Sequence, residues 1–223
     1  MGDRDRAIGV DWLTSNLSVD AEALAMFTQY QSALVKWQKV QNLVSRETVE
    51  AFWVRHVCDS ARLSTLVREP AVWLDFGSGA GFPGLVTAIL QARHGAGSAA
   101  HVHLVESNSR KVAFLRTVIR EAGIAATVHD QRIENLNLPA SGAVRYISAR
   151  ALAPLHYLIG LAKPYTDRGA RCYFHKGRDI DKEIADAANA WAFDLIKHET
   201  SLPGNALNDG VILEIGAIKH RIV

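Results

Sequence analysis

The stretch Trp73–Leu85 constrains this chain most, because a short apolar block there meets an acid and then four glycines. Ala71–Leu74 follows a proline and stops at Asp75, which is typical of a buried strand. Beyond the glycines, apolar residues recur at helical spacing up to Leu90. A tight glycine turn therefore joins the carboxyl end of a strand to the start of a helix, where open α/β sheets bind their ligands.

Two glycine patterns overlap in this loop and indicate different cofactors. Gly79–Gly84 fits the dinucleotide pattern G-x-G-x-x-G, with Glu106 about 20 residues further on. The alternative is an acid followed by alternating glycines, the pattern of S-adenosylmethionine (SAM) methyltransferases, formed here by Asp75, Gly77, Gly79 and Gly81. We favour SAM, because its positive sulfonium and amino groups give Asp75 a role that the dinucleotide pattern leaves unexplained. A plain tight turn is the remaining interpretation.

Composition limits the class of protein without identifying it. With 223 residues, 48% of them hydrophobic, the chain can form one large domain or one domain with an extension. Its formal charge of +2 is too small to indicate nucleic-acid binding by itself. Cys58 and Cys172 form no C-x-x-C pair, and no apolar run approaches the roughly 18 residues of a membrane span. We therefore expect a cytoplasmic protein with no metal site and no membrane segment.

The chain divides by pattern near residue 70. Residues 1–70 are predicted to be helical throughout and to form a cap, with one apolar stripe from Leu24 to Trp37 and a second segment that opens at Ser45. Residues 71–223 alternate strands and helices, which is typical of a doubly wound sheet. The predicted strands cover 71–74, 101–106, 124–130, 144–150, 170–175, 193–198 and 211–220.

The last two predicted strands have no helical pattern between them and are expected to form an antiparallel hairpin. The predicted fold is therefore α/β, a Rossmann-like sheet of the SAM-dependent methyltransferase type, mostly parallel with an antiparallel last strand and an N-terminal helical cap. His101 and His103 share one face of the second strand. Without a third ligand nearby, they are predicted to be surface or packing residues.

Six stretches in order resemble the bacterial 16S ribosomal RNA guanine-N7 methyltransferases, the glucose-inhibited division protein B family (GidB/RsmG). They are Asn42–Ser45, Arg55–Ser60, Leu74–Gly84, Glu106-Ser with Arg110–Leu115, Ser148–Ala153 and His175–Arg178. The resemblance implies a cytoplasmic enzyme that uses SAM to methylate N7 of a guanine in the decoding-centre loop of 16S rRNA. It also implies that Gly77 and Phe82 contact the cofactor, that Ile133 and Glu134 hold its adenine region, and that Arg150 lines the site. The chain departs from the family in a longer 94–100 loop and in His175.

The chemistry of guanine N7 agrees with this resemblance. N7 carries a lone pair and no proton, so methyl transfer needs placement and no general base. The fourth strand ends in Ser148-Ala-Arg150, where enzymes that methylate amino groups carry an Asn/Asp-Pro-Pro-aromatic loop. Neither cysteine is placed as a nucleophile. No catalytic base is predicted, and Arg150 is the candidate for positioning; the alternative is that Arg150 forms an internal ion pair with Asp75 or Glu106.

Basic residues near the predicted strand ends are the candidates for RNA contact. Arg145, Arg150, Lys176 and Arg178 are expected near the carboxyl ends of the strands, where Asn42, Arg55 and His56 of the cap face them and complete a basic rim. In the alternative, Arg55 and Arg178 are ordinary surface residues and His56 only fixes the cap to the sheet.

Three classes of function remain open from the residues alone. They are an rRNA methyltransferase, a SAM enzyme for another RNA or a small molecule, and a ribosome-assembly binder without turnover. The intact glycine loop with Asp75 and Glu106 argues against the third class. The expected partner is 16S rRNA or the small ribosomal subunit, and the expected state is a monomer.

Overall fold

The computed structural model describes residues 2–45, 48–92, 94–95, 100–138, 143–177, 180–199, 202 and 210–221. In these ranges the α-helices are α1 (Gly2–Leu17), α2 (Ala21–Gln38), α3 (Asp59–Leu66), α4 (Gly84–Ala92), α5 (Ser109–Ala122), α6 (Leu155–Thr166) and α7 (Asp181–Ala190). A π-helix spans Phe52–Cys58 and a short 3₁₀-helix spans Ile133–Asn135. The strands are β1 (Val72–Phe76), β2 (His101–Glu106), β3 (Ala126–Asp130), β4 (Tyr146–Arg150), β5 (Arg171–Lys176), β6 (Trp191–Glu199) and β7 (Val211–His220).

The strands form one seven-stranded sheet in the order β3-β2-β1-β4-β5-β7-β6. Strands β1 to β5 are parallel, whereas β7 runs antiparallel to both β5 and β6. The order reverses between β1 and β4, so a crevice opens at the carboxyl ends of these strands. The register places Glu106 beside Asp130 and Arg150 beside His175 at that edge.

Local sequence explains where several helices begin and end. Helix α2 begins after Asp20, whose carboxylate accepts a hydrogen bond from the Ala23 amide at 2.9 Å. Helix α5 begins after Asn108, whose side chain accepts from the Arg110 and Lys111 amides. It ends at Gly123, where φ is +64°. Each cap satisfies backbone groups that have no partner within the helix.

Two apolar clusters cover the two faces of the sheet. One cluster joins the N-terminal helices to α4 and α5, and it includes Phe27, Phe52, Trp53, Leu85 and Phe114. The other packs α6 and α7 against the opposite face. The N-terminal helices therefore share a core with the sheet, and the division at residue 70 stays a prediction. Within the described residues, no helix is long and apolar enough to cross a membrane.

The predicted fold class is confirmed. Each predicted strand coincides with an observed one to within two residues at either end, and the antiparallel hairpin is present as β6 and β7. The prediction that residues 1–70 are helical throughout is wrong between α2 and Phe52, where the described residues form mainly turns and bends. The second helical segment also opens as a π-helix, which its apolar spacing did not indicate.

Candidate active site

The loop between β1 and α4 adopts backbone angles that favour glycine at three positions. Gly77, Gly79 and Gly81 have φ of +62°, +56° and +96°, a region that L side chains rarely adopt. A Cβ at Gly77 would lie 2.4 Å from a Leu152 methyl carbon, and a Cβ at Gly81 would lie 2.5 Å from a Leu85 methyl carbon. Conformation and close packing together explain the glycine pattern.

Glu106, at the end of β2, holds this loop. One carboxylate oxygen accepts a hydrogen bond from the Gly79 amide at 2.9 Å, and the other accepts from the Asn108 amide at 2.8 Å. Each oxygen keeps a second lone pair, because a carboxylate can accept about four hydrogen bonds. Glu106 therefore shapes the glycine loop and can still accept a hydrogen bond from a ligand hydroxyl.

A cavity of about 250 Å³, here called the cofactor cavity, opens beside this carboxylate. It is lined by Gly77, Val105, Glu106, Ser107, Lys111, Gln131, Arg132, Ile133, Glu134, Ala151, Leu152, Tyr157 and Leu161. Four residues predicted to contact the cofactor, Gly77, Glu106, Ile133 and Glu134, thus lie together. Tyr157 was missed: its hydroxyl donates a hydrogen bond to Glu134. Its only sequence signal was a tyrosine early in the helix that follows β4.

Five other predicted cofactor residues do not line the cofactor cavity: Asp75, Gly79, Gly81, Phe82 and Arg150. Asp75 is fully buried and accepts a hydrogen bond from the Ser148 hydroxyl at 2.6 Å. Burial raises the pKa of Asp75 to about 6. Gly79 and Gly81 shape the loop behind the cavity, and Phe82 is 5% exposed beneath the N-terminal helices. Direct cofactor contact by these five residues stays a prediction.

Arg150, at the end of β4, is bound to the π-helix and the residue that follows it. Its Nη1 donates to an Asp59 carboxylate oxygen at 2.9 Å and to the Arg55 carbonyl at 3.3 Å, and its Nη2 donates to His56 Nδ1 at 2.8 Å. The predicted alternative of an ion pair with Asp75 or Glu106 is wrong. One Asp75 oxygen accepts from Ser148 and the other has no hydrogen-bond partner among the described residues, while Glu106 accepts from two loop amides. The guanidinium contacts Asp59 instead.

The Phe82 ring packs against both Arg150 and His56. The Arg150 guanidinium carbon lies 5.2 Å from the centre of the Phe82 ring, and the His56 ring stacks on the same ring at 4.7 Å. Tyr30 of α2 also stacks on Phe82, at 5.2 Å, and donates a hydrogen bond to the Ala80 carbonyl. The glycine loop, the N-terminal helices and Arg150 are therefore packed as one unit, and His56 does fix the cap to the sheet.

Asp59 is shared between two guanidinium groups. Its other oxygen accepts from Arg62 Nη1 at 3.1 Å, and Arg62 is only 1% exposed. Burial raises the pKa of Asp59, but the positive charges of His175, Arg150 and Arg62 lower it further, so that the net pKa is below the usual value. The role of Arg62 is not predicted from the sequence, where its only signal is the spacing of three residues from Asp59.

The two histidines of this cluster are neutral near pH 7. Burial, reinforced by the neighbouring Arg150 charge, lowers the pKa of His56 to about 3. Burial also lowers the pKa of His175 to about 4. At neutral pH the negative charge of Asp59 is therefore balanced by the two arginines, Arg62 and Arg150. The His175 Nε2 atom lies 3.0 Å from the Asp59 carbonyl, which makes Nε2 the protonated nitrogen.

A cavity of about 1060 Å³, here called the large cavity, lies on the other side of the Arg150–Leu152 turn. It brings together Arg55, Arg150 and Lys176, three of the residues predicted near RNA, and adds Arg62, His156 and Lys182, which were not predicted. Lys176 is bound to the Ala153 carbonyl and to Glu183, both at 2.7 Å. A third cavity, of about 390 Å³, is lined by Arg55, His56, Asp59 and Arg150 among others.

The remaining basic-rim predictions have different outcomes. Asn42 is exposed and lines none of these three cavities. Arg178 lies outside the described residues, as does most of the 94–100 loop. The expected position of Arg145 is wrong: it precedes β4 at the amino end, where it forms an ion pair with Glu69 at 3.6 Å. It therefore lies at the opposite end of the strand from Arg150.

The histidines of β2 have a third neighbour from β3. His103 Nδ1 lies 3.1 Å from His129 Nε2, and His101 Nε2 lies 2.9 Å from the Thr127 hydroxyl. Among the residues that the structure describes, no group of three or more histidine, cysteine, aspartate or glutamate side chains is arranged to hold a metal ion. The contact with His129 could not be read from sequence, because it depends on the register between β2 and β3.

Comparison with known proteins identifies the family. The family model described as rRNA small subunit methyltransferase G matches residues 23–206. The Ribosomal RNA small subunit methyltransferase G of Rhizobium etli is 41% identical over 210 residues, which cover 93% of this chain and 98% of that protein. The protein of the same name from Rhizobium rhizogenes is 42% identical over 211 residues, with coverage of 93% and 98%.

A solved structure supports the fold independently of close sequence similarity. The structure of P. horikoshii TYW2 in complex with MeSAdo aligns with a TM-score of 0.52 and 13% identity, over 72% of this chain and 61% of that one. At this identity the match shows a shared fold only. The family model and the two relatives cover most of the sequence. The chain therefore belongs to the rRNA small subunit methyltransferase G family.

Proposed function

We propose that the protein transfers the methyl group of SAM to N7 of a guanine in the decoding-centre loop of 16S rRNA. Family membership over residues 23–206 is the observation that carries this proposal. The site supports it, since the cofactor cavity and the basic large cavity share Ala151 and Leu152 as a common wall. A cofactor and an RNA base can thus approach each other at the carboxyl ends of the strands.

The residues around the cofactor cavity fit SAM. The Glu106 carboxylate has free lone pairs for ribose hydroxyls, and Ile133 offers an apolar wall beside the polar Glu134 for the adenine region. Gly77 lets the backbone approach the cavity without a side chain. Bound SAM supplies an electrophilic methyl group on a positive sulfonium.

The residues of this chain position and do not exchange protons in the proposed reaction. Guanine N7 has no proton to remove, so placement of the base and exclusion of water are sufficient. Arg150 is held by Asp59 and His56 at the wall of the large cavity, where it is the proposed positioning residue. Burial raises the pKa of the Cys58 and Cys172 thiols, which keeps both protonated and unsuited to nucleophilic attack.

The basic residues at the large cavity are the proposed RNA contacts. Arg55 is exposed and its guanidinium has no ion pair among the described residues, so it is free to bind a phosphate. Lys176 is already paired with Glu183, so its contribution to RNA binding is smaller. Asn42 and Arg178 stay proposals from the sequence alone.

We also propose that the protein acts as a cytoplasmic monomer on 16S rRNA or on the small subunit. An rRNA substrate supports the cytoplasmic location. The large exposed apolar side chains of the described residues support the monomer, because they lie on different elements of the fold. They comprise Val35 on α2, Val40 in the turn that follows it, Leu152 and Tyr157 at the cofactor cavity, and Ile196 on β6.

The test is methylation of RNA that carries 7-deazaguanine at the target position. Replacing N7 by carbon should abolish transfer from labelled SAM while RNA binding changes little, because phosphate contacts supply most of the affinity. Unmodified 16S rRNA and intact small subunits serve as parallel substrates, and a metabolite extract tests for a small-molecule acceptor. Robust methylation of the deaza RNA would show that another atom accepts the methyl group.

A further inference from the structure

Helix α1 contacts both ends of the π-helix. Asp5 accepts hydrogen bonds from the Trp53 amide at 2.8 Å and from the Val54 amide at 3.3 Å, one with each carboxylate oxygen. At the other end, the Gly9 carbonyl accepts from the Cys58 thiol at 3.6 Å. A Cβ at Gly9 would lie 2.6 Å from the Trp53 Cβ. The backbone of α1 therefore packs directly on the π-helix.

The two amides bound by Asp5 need an acceptor. The first amides of any helix have no partner within it, and Ala51, which precedes this π-helix, makes no side-chain capping bond. Trp53 is fully buried and Val54 is 7% exposed, so water has little access to either amide. Asp5 therefore caps the π-helix although it lies about 50 positions earlier in the chain. Its negative charge also suits the positive amino end of a helix.

The π-helix supplies the groups that hold Arg150. The Arg55 carbonyl and His56 Nδ1 belong to it, and Asp59 follows it immediately. The Asp59 amide donates to the Val54 carbonyl, a bond across five residues that is characteristic of a π-helix. A change to the tighter α-helical register would rotate these groups relative to Arg150. Positions 55, 56 and 59 therefore depend on the register set at Trp53 and Val54.

We propose that Asp5 is a positioning residue for RNA methylation, which keeps the π-helix in the register that presents Arg55 to the large cavity and holds Arg150. This inference rests on the proposed function. Asp5 lies outside the part of the chain that the family model matches, residues 23–206. Asp5 lies on an element that does not line the cofactor cavity, so its effect should reach RNA methylation and spare SAM binding.

The experiment compares Asp5→Ala and Asp5→Asn with Asp11→Ala, an exposed aspartate of the same helix. Calorimetry with SAM counts the folded sites in each preparation and gives the SAM affinity. Methylation of 16S rRNA is then expressed per SAM-binding site, so that a loss of folded protein does not lower the value. We expect kcat/KM for RNA to fall about tenfold in Asp5→Ala, because the charge-assisted hydrogen bonds from the Trp53 and Val54 amides are lost. SAM affinity should stay unchanged.

The other variants make the result specific. The kcat/KM for RNA should fall less in Asp5→Asn than in Asp5→Ala, because the amide oxygen still accepts one of the two hydrogen bonds. In Asp11→Ala it should equal that of the unaltered protein. Hydrogen exchange at the Trp53 and Val54 amides should accelerate in Asp5→Asn. An unchanged kcat/KM per site in Asp5→Ala would overturn the proposal. If that variant does not fold, unchanged exchange and kcat/KM in Asp5→Asn overturn it.

The proposed function can fail separately. If the unaltered protein does not methylate 16S rRNA or small subunits, the function is wrong. Amide exchange in the Asp5 variants then still decides whether Asp5 holds the π-helix.

Discussion

Replacing Asp59 by asparagine should strongly destabilise the fold, because two guanidinium groups share this carboxylate. Arg62 Nη1 lies 3.1 Å from one oxygen and Arg150 Nη1 lies 2.9 Å from the other. Arg62 also donates to the Gly210 carbonyl at 3.0 Å. After Asp59→Asn, this buried guanidinium would keep a neutral acceptor but lose the carboxylate that balances its charge.

The magnitude follows from burial. Removing one partner of a buried ion pair costs about 3 to 5 kcal/mol. The Asp59 side chain is 18% exposed, and solvent therefore screens part of its charge, so we expect about 3 kcal/mol, the lower end of that range. In a protein of this size, that loss corresponds to a fall in Tm of about 6 to 12 °C.

Denaturant and thermal unfolding measure this loss. The control is Glu121→Gln, because Glu121 pairs with Arg120 at 3.8 Å on the surface, where both side chains are more than half exposed. Such a pair contributes about 0 to 1 kcal/mol. Combining Asp59→Asn with Arg62→Met should restore part of the stability, since the unpaired buried charge is removed. A loss from Asp59→Asn no larger than that of the control would refute the buried-charge argument.

The ion pairs of Asp59 also predict how the free energy of unfolding depends on pH. The folded-state pKa of Asp59 is below its ordinary value of 3.8. A lowered pKa contributes stability that is present above the unfolded-state pKa and is lost as the pH falls through the folded-state pKa. The difference in unfolding free energy between the unaltered protein and Asp59→Asn should therefore be largest near neutral pH and shrink below about pH 3.8. A difference that grows toward acid would contradict this sign.

Three further substitutions test the site. Glu106→Ala should weaken SAM binding roughly tenfold or more through the loss of charge-assisted hydrogen bonds, and unchanged affinity by calorimetry would remove Glu106 from the cofactor site. Arg55→Ala should reduce rRNA methylation and leave SAM affinity nearly intact, since its carbonyl still holds Arg150; the reverse pattern would assign Arg55 to the cofactor. Ala151 has φ of +53°, so Ala151→Gly should raise the free energy of unfolding by up to about 1 kcal/mol, and a decrease in chemical denaturation would contradict the strain.

Much of the fold could be predicted from sequence because its signals are local. The strands follow short apolar runs, and the glycine loop carries its conformational requirement in three glycines with positive φ. Strand β2 and strand β7 were predicted with their observed bounds. The cofactor cavity was also accessible, because Gly77 and Glu106 end adjacent strands whose order the fold class implies.

The contacts of Arg150 could not be predicted in the same way. Its partners Asp59 and His56 lie 91 and 94 positions earlier in the chain, and no local pattern specifies that pairing. The shared strand ends favour Asp75 and Glu106 as its partners, but Asp75 binds the Ser148 hydroxyl and Glu106 binds two loop amides. The π-helix could not be predicted from sequence either, since its register depends on an acceptor from α1. Only Gly9, Leu13 and Leu17 are buried on α1, so its sequence gives little sign of that contact.

The titration behaviour of the cluster around Arg150 agrees with the proposed chemistry. His56 must be neutral to accept a hydrogen bond at Nδ1, and its pKa of about 3 ensures this throughout the neutral range. Asp59, with its lowered pKa, stays ionised there and pairs with the Arg150 guanidinium. General acid–base sites instead hold groups with pKa values near the working pH. A cluster that keeps its charges fixed around neutral pH suits a reaction in which the acceptor atom has no proton to lose, because charge and position, not proton transfer, are what the protein must supply.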